Sequence, residues 1–527
     1  MTHVYGIDLG TTYSVISDLD EFGRARVLAN EIGALTTPSV VHFASADRVV
    51  VGAEAKHLLS LLPDDTVALI KNAMGKDQTF TFHGVGYTPE AISALVLKYL
   101  VESVAGADAR DVRAVITVPA YFGIREREAT QQAARIAGID VLDLVAEPVA
   151  AAIAYGVDTA IGENVLVYDL GGGTFDTTVI SMDVTGPRVI STDGAHDLGG
   201  AQWDERLMSH LIDAWAESAG PEGDPYSDDA FVAQVAGHAE ELKKSLSTRN
   251  EVTVQLTFEG RRAPITVSRA TFEQITEDLL ARTLDISDRT IASAKGAGVT
   301  GIARIVLVGG SSRMPAVARV LTGHYGVEAL LADPDFAVSK GAAMRAAFLD
   351  TRAVGAARAL PDVPGRAPTG GLTIGRGDSH GAVPRSVGVL IWDSFDLSGE
   401  RRIVDHVIHR NSSLPIEAAV TYGTVLDGQD RVRVQVYEQA GAVESEELDH
   451  NRPVLDGLIT EIPPLPAGSP IRVTLAIGDD GRLRVIAEEP ASKARLQLDS
   501  FIEGVTDSED VGRLTKLVSG LSVIDRG

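Results

Sequence analysis

Residues 165–181, VLVYDLGGGTFDTTVIS, combine an aspartate, three consecutive glycines and a threonine within a few positions. Residues 165–168 predict a short buried strand, and Asp169 places a carboxylate at its end. Gly171, Gly172 and Gly173 allow the backbone to adopt positive φ and to bring its N–H groups against an oxyanion. The pattern predicts a phosphate-binding turn beside a carboxylate.

The residues after the glycines indicate which kind of phosphate site this is. Residues 177–180 (TTVI) are all β-branched, so we expect the chain to re-enter the sheet as a hairpin. A P-loop and a dinucleotide-binding fold both need a helix after their glycines. The sequence therefore argues against both.

A second copy of this plan lies near the N-terminus. Residues 5–13 (YGIDLGTTY) lead into SVIS at residues 14–17, so a strand ending in Asp8 is again followed by glycine, threonine and a strand. A single glycine turn between strands is usually only a turn. Two such turns, each led by an aspartate, predict two related half-domains that clamp one phosphate chain, with Asp8 and Asp169 holding a metal ion through water.

The composition narrows the class of protein. The chain has 527 residues and a formal net charge of −26, which argues against a nucleic-acid backbone or an anionic membrane as partner. It has no cysteine, so disulfides, thiolate metal sites and cysteine nucleophiles are excluded. No apolar run approaches the ~20 residues of a spanning helix, and Met1 leads almost directly into the first strand. These features predict a soluble, cytoplasmic protein.

The pattern of the chain predicts four parts. Residues 1–350 alternate strands and helices, which is typical of an α/β domain. Residues 351–383 are rich in Gly, Pro, Ala and Arg and predict a flexible linker. Residues 384–500 have the period-two alternation of an antiparallel β domain. Residues 501–527 predict a short tail with at most one small helix.

Eight segments, taken in order, resemble the nucleotide-binding domain of the Hsp70 (DnaK) chaperones. They are GIDLGTTYSVI (6–16), TVPAYF (117–122), EPVAAAIAYG (147–156), VYDLGGGTFD (167–176), LGG (198–200), AEELKKSLS (239–247), VLVGGSSRMP (306–315) and DPDFAVSKGAA (333–343). The resemblance continues in weaker form through the β domain to about residue 498.

The resemblance implies an actin-like fold, in which a duplicated ribonuclease H-like unit forms two lobes, followed by an antiparallel β-sandwich. It implies that ATP or ADP binds in the cleft and that Asp8 and Asp169 hold Mg²⁺, and in this family potassium ions, through water. The residues implied to hold the phosphates are Gly10, Thr11, Thr12, Tyr13, Gly171, Gly172, Gly173, Thr174, Gly199 and Gly200.

The resemblance also implies catalytic and adenosine-binding residues. Lys71 matches the lysine against the γ-phosphate, where a fixed ammonium stabilises developing charge, and Glu147 and Asp176 would orient the ions and the attacking water near Thr174. The adenosine pocket would comprise Glu240, Lys243, Lys244, Ser247, Gly309, Gly310, Ser311, Arg313 and Asp335. Because Lys244 stands where many relatives have arginine, we expect weaker stacking on the base.

Several of these residues have simpler interpretations when taken alone. Glu147 could be a helix-start carboxylate, Lys71 a solvated surface lysine, and Lys243 and Lys244 part of an exposed helix face. Their positions in the series of motifs favour the functional interpretation.

The chain departs from the family in three places. The candidate linker, residues 371–375, keeps only two apolar residues, which predicts weak coupling between the domains. Asp143 stands where relatives that respond to J-domain proteins carry arginine. After residue 498 we expect no long helical lid, so a bound peptide should dissociate faster.

A peptide groove in the β domain is the least specific of the implied sites. The alignment places Tyr422, Val425 and Val432 in an apolar cleft and Trp392 on an arch above it. The alternative is that Val425 and Val432 belong to the sandwich core and that the two aromatic residues are ordinary packing residues.

The resulting hypothesis is an Hsp70-like chaperone that binds and slowly hydrolyses ATP and holds extended apolar segments of unfolded proteins. A J-domain co-chaperone and a nucleotide exchange factor are its expected partners. The main alternative is an interaction protein in which ATP switches a β domain that docks one dedicated partner. A small-molecule kinase and a filament former of the same superfold are further alternatives.

Overall fold

The computed structural model describes residues 3–106, 109, 111–155, 162–183, 186–195, 197–220, 223–331, 333–353, 382–396, 400–441, 444–460, 462–478, 481–490, 492–499 and 508–524. Most of the predicted linker, including residues 371–375, lies outside the described residues. No described helix is both long enough and apolar enough to span a lipid bilayer.

The helices alternate with strands in the first part of the chain and are sparse after it. They are α1 (Ala53–Leu58), α2 (Pro89–Ala105), α3 (Ile124–Ile136), α4 (Glu147–Tyr155), α5 (Gly200–Ala219), α6 (Asp229–Leu246), α7 (Arg269–Ile275), α8 (Glu277–Gly296), α9 (Pro315–Tyr325), α10 (Ala337–Ala353) and α11 (Ser508–Gly520).

The strands of the first part are β1 (His3–Asp8), β2 (Tyr13–Leu19), β3 (Ala25–Val27), β4 (Thr37–Pro38), β5 (Val41–Ser45), β6 (Arg48–Val51), β7 (Thr66–Val67), β8 (Phe80–Phe82), β9 (Val85–Tyr87), β10 (Val112–Val118), β11 (Asp140–Ala146), β12 (Asn164–Leu170), β13 (Phe175–Asp183), β14 (Gly186–Ala195), β15 (Glu251–Phe258), β16 (Arg261–Ser268), β17 (Arg304–Val308) and β18 (Ala329–Leu331). Those of the second part are β19 (Val387–Trp392), β20 (Arg402–Ile408), β21 (Ile416–Gly423), β22 (Val432–Gln439), β23 (Asn451–Ile459), β24 (Pro470–Ile477), β25 (Leu483–Glu488), β26 (Arg495–Asp499) and β27 (Ser522–Ile524).

The first part, β1 to α10, contains the same sheet twice, and we call it the α/β region. One sheet has the order β11-β10-β1-β2-β3, with β4 on β2, and the other has the order β18-β17-β12-β13-β14. In each, the strand that carries the aspartate pairs antiparallel with the next strand and parallel with a later one. The predicted duplication is thereby confirmed, as is the hairpin after the three glycines.

Two helices join the duplicated halves. α10 lies against β1, β2 and β10, α4 contacts β12 and β14, and the two helices pack on each other. A Cβ built on Gly341 of α10 would lie 1.8 Å from the carbonyl oxygen of Ala150 in α4. The packing of the halves therefore requires glycine at position 341, because any side chain would push the helices apart.

The second part is a sandwich of two antiparallel sheets, which we call the β-sandwich. Their orders are β20-β19-β22-β23 and β21-β24-β25-β26. Val434 and Val436 of β22 are buried, while Arg433 before them is exposed and Gln435 between them is half-buried, as the alternation predicts. The β-sandwich predicted for this part is confirmed.

One side of the β-sandwich contacts the first half of the α/β region through buried charges. Arg452 donates to Glu126 of α3 at 2.6 and 2.8 Å and to Glu438 at 2.6 and 3.0 Å, and the amide of Ile124 donates to Glu438 at 3.0 Å. Although desolvation acts to raise the pKa of Glu126, Arg385 and Arg452 lower it to about 2. Glu126 therefore stays ionised at physiological pH, and removing Arg452 would leave the buried Glu438 without its cation.

The β-sandwich also contacts the second half. The guanidinium of Arg410 donates to the carbonyl oxygen of Thr192 at 2.6 Å and to Asp193 at 3.2 Å, and Asn411 donates to Ser293 at 3.2 Å. One sandwich thus bridges the two halves of the α/β region.

We expect Gly341→Ala to lower the melting temperature, because the added methyl group overpacks the contact between α10 and α4 at a cost of about 1–3 kcal/mol. Gly323→Ala in α9 is the matched control, since a Cβ there meets no atom within 4 Å. That change should stabilise the protein by up to about 1 kcal/mol, because alanine is the better helix former. Differential scanning calorimetry measures the melting temperatures of the two variants. Equal shifts in both would contradict the tight packing of α10 on α4.

Candidate functional site

The two glycine turns predicted from the sequence lie directly against each other. A Cβ on Gly172 would lie 2.0 Å from Thr12 Oγ1, and one on Gly173 would lie 3.4 Å from Thr11 Cγ2. A Cβ on Gly10 would lie 2.0 Å from the carbonyl oxygen of Tyr13. The ends of the two duplicated sheets therefore form one cleft whose walls are backbone and hydroxyl groups.

The start of α5 closes one side of this cleft. The amide of Gly200 donates to the carbonyl oxygen of Gly171 at 2.9 Å, and the amide of Ala201 donates to that of Gly172 at 2.7 Å. A Cβ on Gly199 would lie 2.5 Å from the carbonyl carbon of Gly173. Glycine is required here because α5 begins in contact with the turn backbone.

Carboxylates converge at the base of the cleft. Desolvation and the neighbouring Glu147 raise the pKa of Asp8 to about 6, while Thr117, whose hydroxyl donates to Asp8 at 2.8 Å, acts in the opposite direction. Desolvation and Glu147 also raise the pKa values of Asp169 and Asp176 well above the ordinary range. The cleft thus holds more negative charge than its own groups neutralise.

A buried ion pair lies among these carboxylates. The ammonium of Lys71 donates to Glu147 at 2.6 Å, and the side chains of Lys71 and Glu147 are only 7% and 12% exposed. Lys71 is therefore not a solvated surface lysine, and Glu147, although it begins α4, is not merely a helix-start carboxylate.

The residues assigned to adenosine lie on α6 and after β17. Lys243 is buried and donates to the carbonyl oxygen of Gly200 at 2.9 Å and to Asp204 at 2.7 Å, and a Cβ on Gly200 would lie 2.4 Å from Ser311 Oγ. Lys244 pairs with Glu240 at 3.0 Å.

The turn after β17 completes this side. Gly309 has a φ of 81°, and a Cβ there would lie 2.5 Å from Asp169 Oδ1. Arg313 forms an ion pair with Asp335, and Gly310 also borders Asp335. Ser247 lies one turn from Lys243, to whose carbonyl oxygen its hydroxyl donates at 3.2 Å.

Lys56, Thr117 and Asp204 contribute to the cleft although sequence reasoning gave them no role. Lys56 of α1 donates to Tyr13 at 2.9 Å and to Glu240 at 2.9 and 3.0 Å. Despite desolvation, hydrogen bonds from Lys56 and Lys244 lower the pKa of Glu240 to about 2. Thr117 begins the segment TVPAYF, so its place in a family motif could have indicated a role in the cleft. Lys56 lies in none of the eight segments, so no such indication was present for it.

The cleft has the features of a site for a hydrated cation and a phosphate chain. Buried Thr12 Oγ1 and Asp176 Oδ1 have no hydrogen-bond partner among the described residues. No three acidic or histidine side chains in the described part of the chain are close enough to bind one ion directly. Asp8 and Asp169 therefore suit a Mg²⁺ ion held through water, whose charge would offset the raised pKa values.

The four residues assigned to a peptide groove differ in exposure. Trp392 ends β19 and is 49% exposed, and Val425 follows β21 and is 55% exposed. Tyr422 and Val432 are partly buried against the core, and the hydroxyl of Tyr422 donates to Asp405 at 2.8 Å. The structure brings Tyr422 and Val432 onto the sandwich body and leaves Trp392 and Val425 on its surface.

Comparisons with known proteins cover both parts of the chain. The sequence model of the family described as "Hsp70 protein" matches residues 4–365 and 390–519. Over 502 residues the chain is 36% identical to the chaperone protein DnaK of Halobacterium salinarum, covering 93% of this chain and 73% of that protein. Over 504 residues it is 34% identical to the chaperone protein DnaK of Thermotoga maritima, covering 93% and 78%.

We expect Asp8→Asn to raise the melting temperature of the ligand-free protein at pH 7.5. A raised carboxyl pKa means that the charged form destabilises the fold, so the wild type loses stability as pH rises from about 4 to about 6, and the asparagine variant, which keeps Asp169 and Asp176, loses less. Asparagine still accepts the hydrogen bond from Thr117. The two proteins should melt alike below pH 4.

The same variant should lose the stabilisation that Mg²⁺ adds in the presence of ADP, since a neutral amide attracts the hydrated ion less. Thermal shift with and without Mg²⁺ measures this effect. An unchanged Mg²⁺ shift in Asp8→Asn would show that Asp8 does not hold the ion.

Proposed function

The chain belongs to the Hsp70 family, and from the geometry of its cleft we propose that it is a chaperone that binds ATP, hydrolyses it slowly and holds extended apolar peptide segments. The observation that carries the proposal is the contact of two glycine turns above a buried set of carboxylates and one lysine. A phosphate chain fits between backbone amides on both sides, and a cation fits over the carboxylates.

In this proposal the catalytic groups are Lys71, Glu147, Thr174 and Asp176. The Lys71 ammonium is held in place by Glu147 and directs positive charge at the terminal phosphate. Thr174 and Asp176 are buried at the second glycine turn, where they orient the attacking water. Mg²⁺ held by Asp8 and Asp169 through water supplies charge neutralisation of the phosphates.

The adenosine pocket lies between α6 and the turn after β17. Asp204 holds the ammonium of Lys243, and in this proposal Lys243 lies beside the ribose. Lys244 and Arg313 lie on either side of the base. Lys244 is paired with Glu240, so its ammonium is directed toward the carboxylate and contributes less to stacking than an arginine would.

The peptide site is proposed on the β-sandwich, in a groove of Tyr422, Val425 and Val432 with Trp392 on an arch above it. Phe395 is 92% exposed and Leu426 is 67% exposed, so the segments after β19 and after β21 both present apolar side chains to solvent. We propose that these side chains form one apolar patch that contacts the peptide. An extended peptide would add main-chain hydrogen bonds there.

We further propose the division into an ATPase domain (1–350), a linker (351–383), a substrate domain (384–500) and a short tail (501–527) in a cytoplasmic protein. A J-domain protein and an exchange factor are the proposed co-chaperones. Asp143 forms an ion pair with Arg345 at 3.1 Å, so a J-domain partner would meet a carboxylate that is already paired.

The dedicated-switch alternative is favoured by one specific observation. The β-sandwich is fixed to α3 by the buried Arg452, Glu126 and Glu438 cluster, which suits a module that is held in one orientation. A pull-down that recovers one stoichiometric partner, with no protection of unfolded clients, would favour this alternative.

We expect Lys71→Met to lower single-turnover ATP hydrolysis by ~10²–10³-fold while ADP binding changes only a few-fold, because the ammonium acts mainly on charge that develops in the transition state. Lys295→Met, at an exposed position near the end of α8, is the matched control. Rapid-quench measurements decide the point, and equal rates in both variants would remove Lys71 from catalysis.

A generic extended apolar peptide should accelerate single-turnover hydrolysis by the intact chain if the groove exists and communicates with the cleft.

Val432→Phe should abolish peptide binding by filling the groove, and Val432→Thr, which keeps the side-chain shape, should not. Peptide anisotropy measures both. Undiminished affinity in a stable Val432→Phe protein would place Val432 in the core.

A further inference from the structure

The described C-terminal residues pack against the α/β region. α11 contacts α2 and α3, and Leu514 and Val518 of α11 and Leu521 just after it are buried to 0%, 1% and 4% exposure. The ammonium of Lys98 in α2 donates to the carbonyl oxygens of Val518 at 3.0 Å and Leu521 at 2.9 Å. The ammonium of Lys98 thus holds the C-terminal end of α11, where the carbonyl oxygen of Val518 also accepts from the amide of Leu521 at 3.3 Å.

After α11 the chain adds a strand to the edge of another sheet. β27 pairs in parallel with β6, in the register Ser522 to Arg48, Val523 to Val49 and Ile524 to Val50. The amide of Ser522 also donates to the carbonyl oxygen of Asp47 at 3.1 Å. β5 covers the other side of β6, so without β27 the strand β6 would be an open edge.

This strand lies beyond residue 519, where the family match ends. We propose that the edge of β6 and the adjoining face of α2 and α3 form a strand-addition surface for the chain's own segment Ser508–Ile524. Seating this segment holds the β-sandwich docked on the α/β region.

The segment and the β-sandwich are both anchored on α3. α11 packs on α3 directly, and Glu126 of α3 accepts a hydrogen bond from Arg452 of the β-sandwich. β26 of the β-sandwich and α11 are close in sequence. When α11 is packed on α3, the β-sandwich is therefore held near its own docking site on α3, and the docked β-sandwich likewise holds α11 near α3. Release of β27 from β6 should therefore weaken docking of the β-sandwich, although β27 itself lies on β6 and α2.

The absence of cysteine from the chain allows a direct test with one introduced pair. Arg48 and Ser522 are exposed register partners, and neighbouring strands lie about 4.8 Å apart, within the span of a disulfide. Arg48→Cys with Ser522→Cys in the full chain should form a disulfide within one molecule under mild oxidation. A dimer on a non-reducing gel would assign the strand to a second copy, and no disulfide would show that β6 is unoccupied; either result overturns the proposal.

Release of the segment is tested with Val518→Asp in the full chain, which places a carboxylate in the buried face of α11. The amide of Ile124 reports docking because it donates to Glu438 of the β-sandwich. We expect hydrogen exchange at Arg48–Val51 and at Ile124 to quicken by about tenfold or more, since one uncompensated buried charge costs more than 1.4 kcal/mol. Ser519→Asp, on the exposed face of α11, is the matched control and should leave both unchanged.

Adding the oxidised cysteine pair to Val518→Asp should restore slow exchange at both places, and reduction should reverse the rescue. Faster exchange at β6 with an unchanged Ile124 amide would overturn the role in docking. If Val518→Asp does not fold, the oxidised and reduced forms of the cysteine pair are compared instead, and equal Ile124 exchange in both overturns that role. The measurement uses neither nucleotide nor peptide, so its failure is distinct from failure of the proposed function.

Discussion

The structure depends on the concentration of negative charge where the two duplicated sheets meet. Burial and mutual repulsion raise the pKa values of Asp8, Asp169 and Asp176, and within the described residues Lys71 is the cation placed among them. Such an arrangement disfavours the ligand-free fold and is stabilised by any ligand that brings positive charge. The close helix packing at Gly341 and the glycine turns serve to hold these carboxylates together.

The parts that could be predicted from sequence are those with a local cause. The strand before Asp169 is apolar, and the β-branched residues after the glycines cannot favour a helix, so the hairpin β12–β13 follows from short-range rules. Threonine followed by proline and glutamate is a local signal for the start of a helix, and the hydroxyl of Thr88 accepts from the amide of Ala91 at the start of α2 at 3.3 Å. The same order of strand, aspartate, glycine turn and strand at Asp8 was enough to predict the duplication, because two aspartate-led glycine turns in one chain indicate two related half-domains.

The parts that could not be predicted join residues that are far apart in the chain. Arg452 and Glu126 are 326 positions apart, and each looks like an ordinary surface charge in its own segment. Lys56 and Glu240 are 184 positions apart and meet only because α1 and α6 face each other across the cleft. β27 is a three-residue strand whose partner is fixed by the packing of α11, so no local pattern could assign it to β6.

One short stretch connects the cleft to the β-sandwich. Thr117, at the end of β10, donates to Asp8, and Tyr121 lies within hydrogen-bonding reach of Thr174. Three residues after Tyr121, the amide of Ile124 donates to Glu438 of the β-sandwich. Eight residues, 117–124, therefore connect the hydrogen bond at Asp8 to the hydrogen bond at Glu438. Charge at the carboxylates and docking of the β-sandwich therefore act on the same piece of backbone, and the proposed role of the segment anchored at β6 is to keep the β-sandwich docked there.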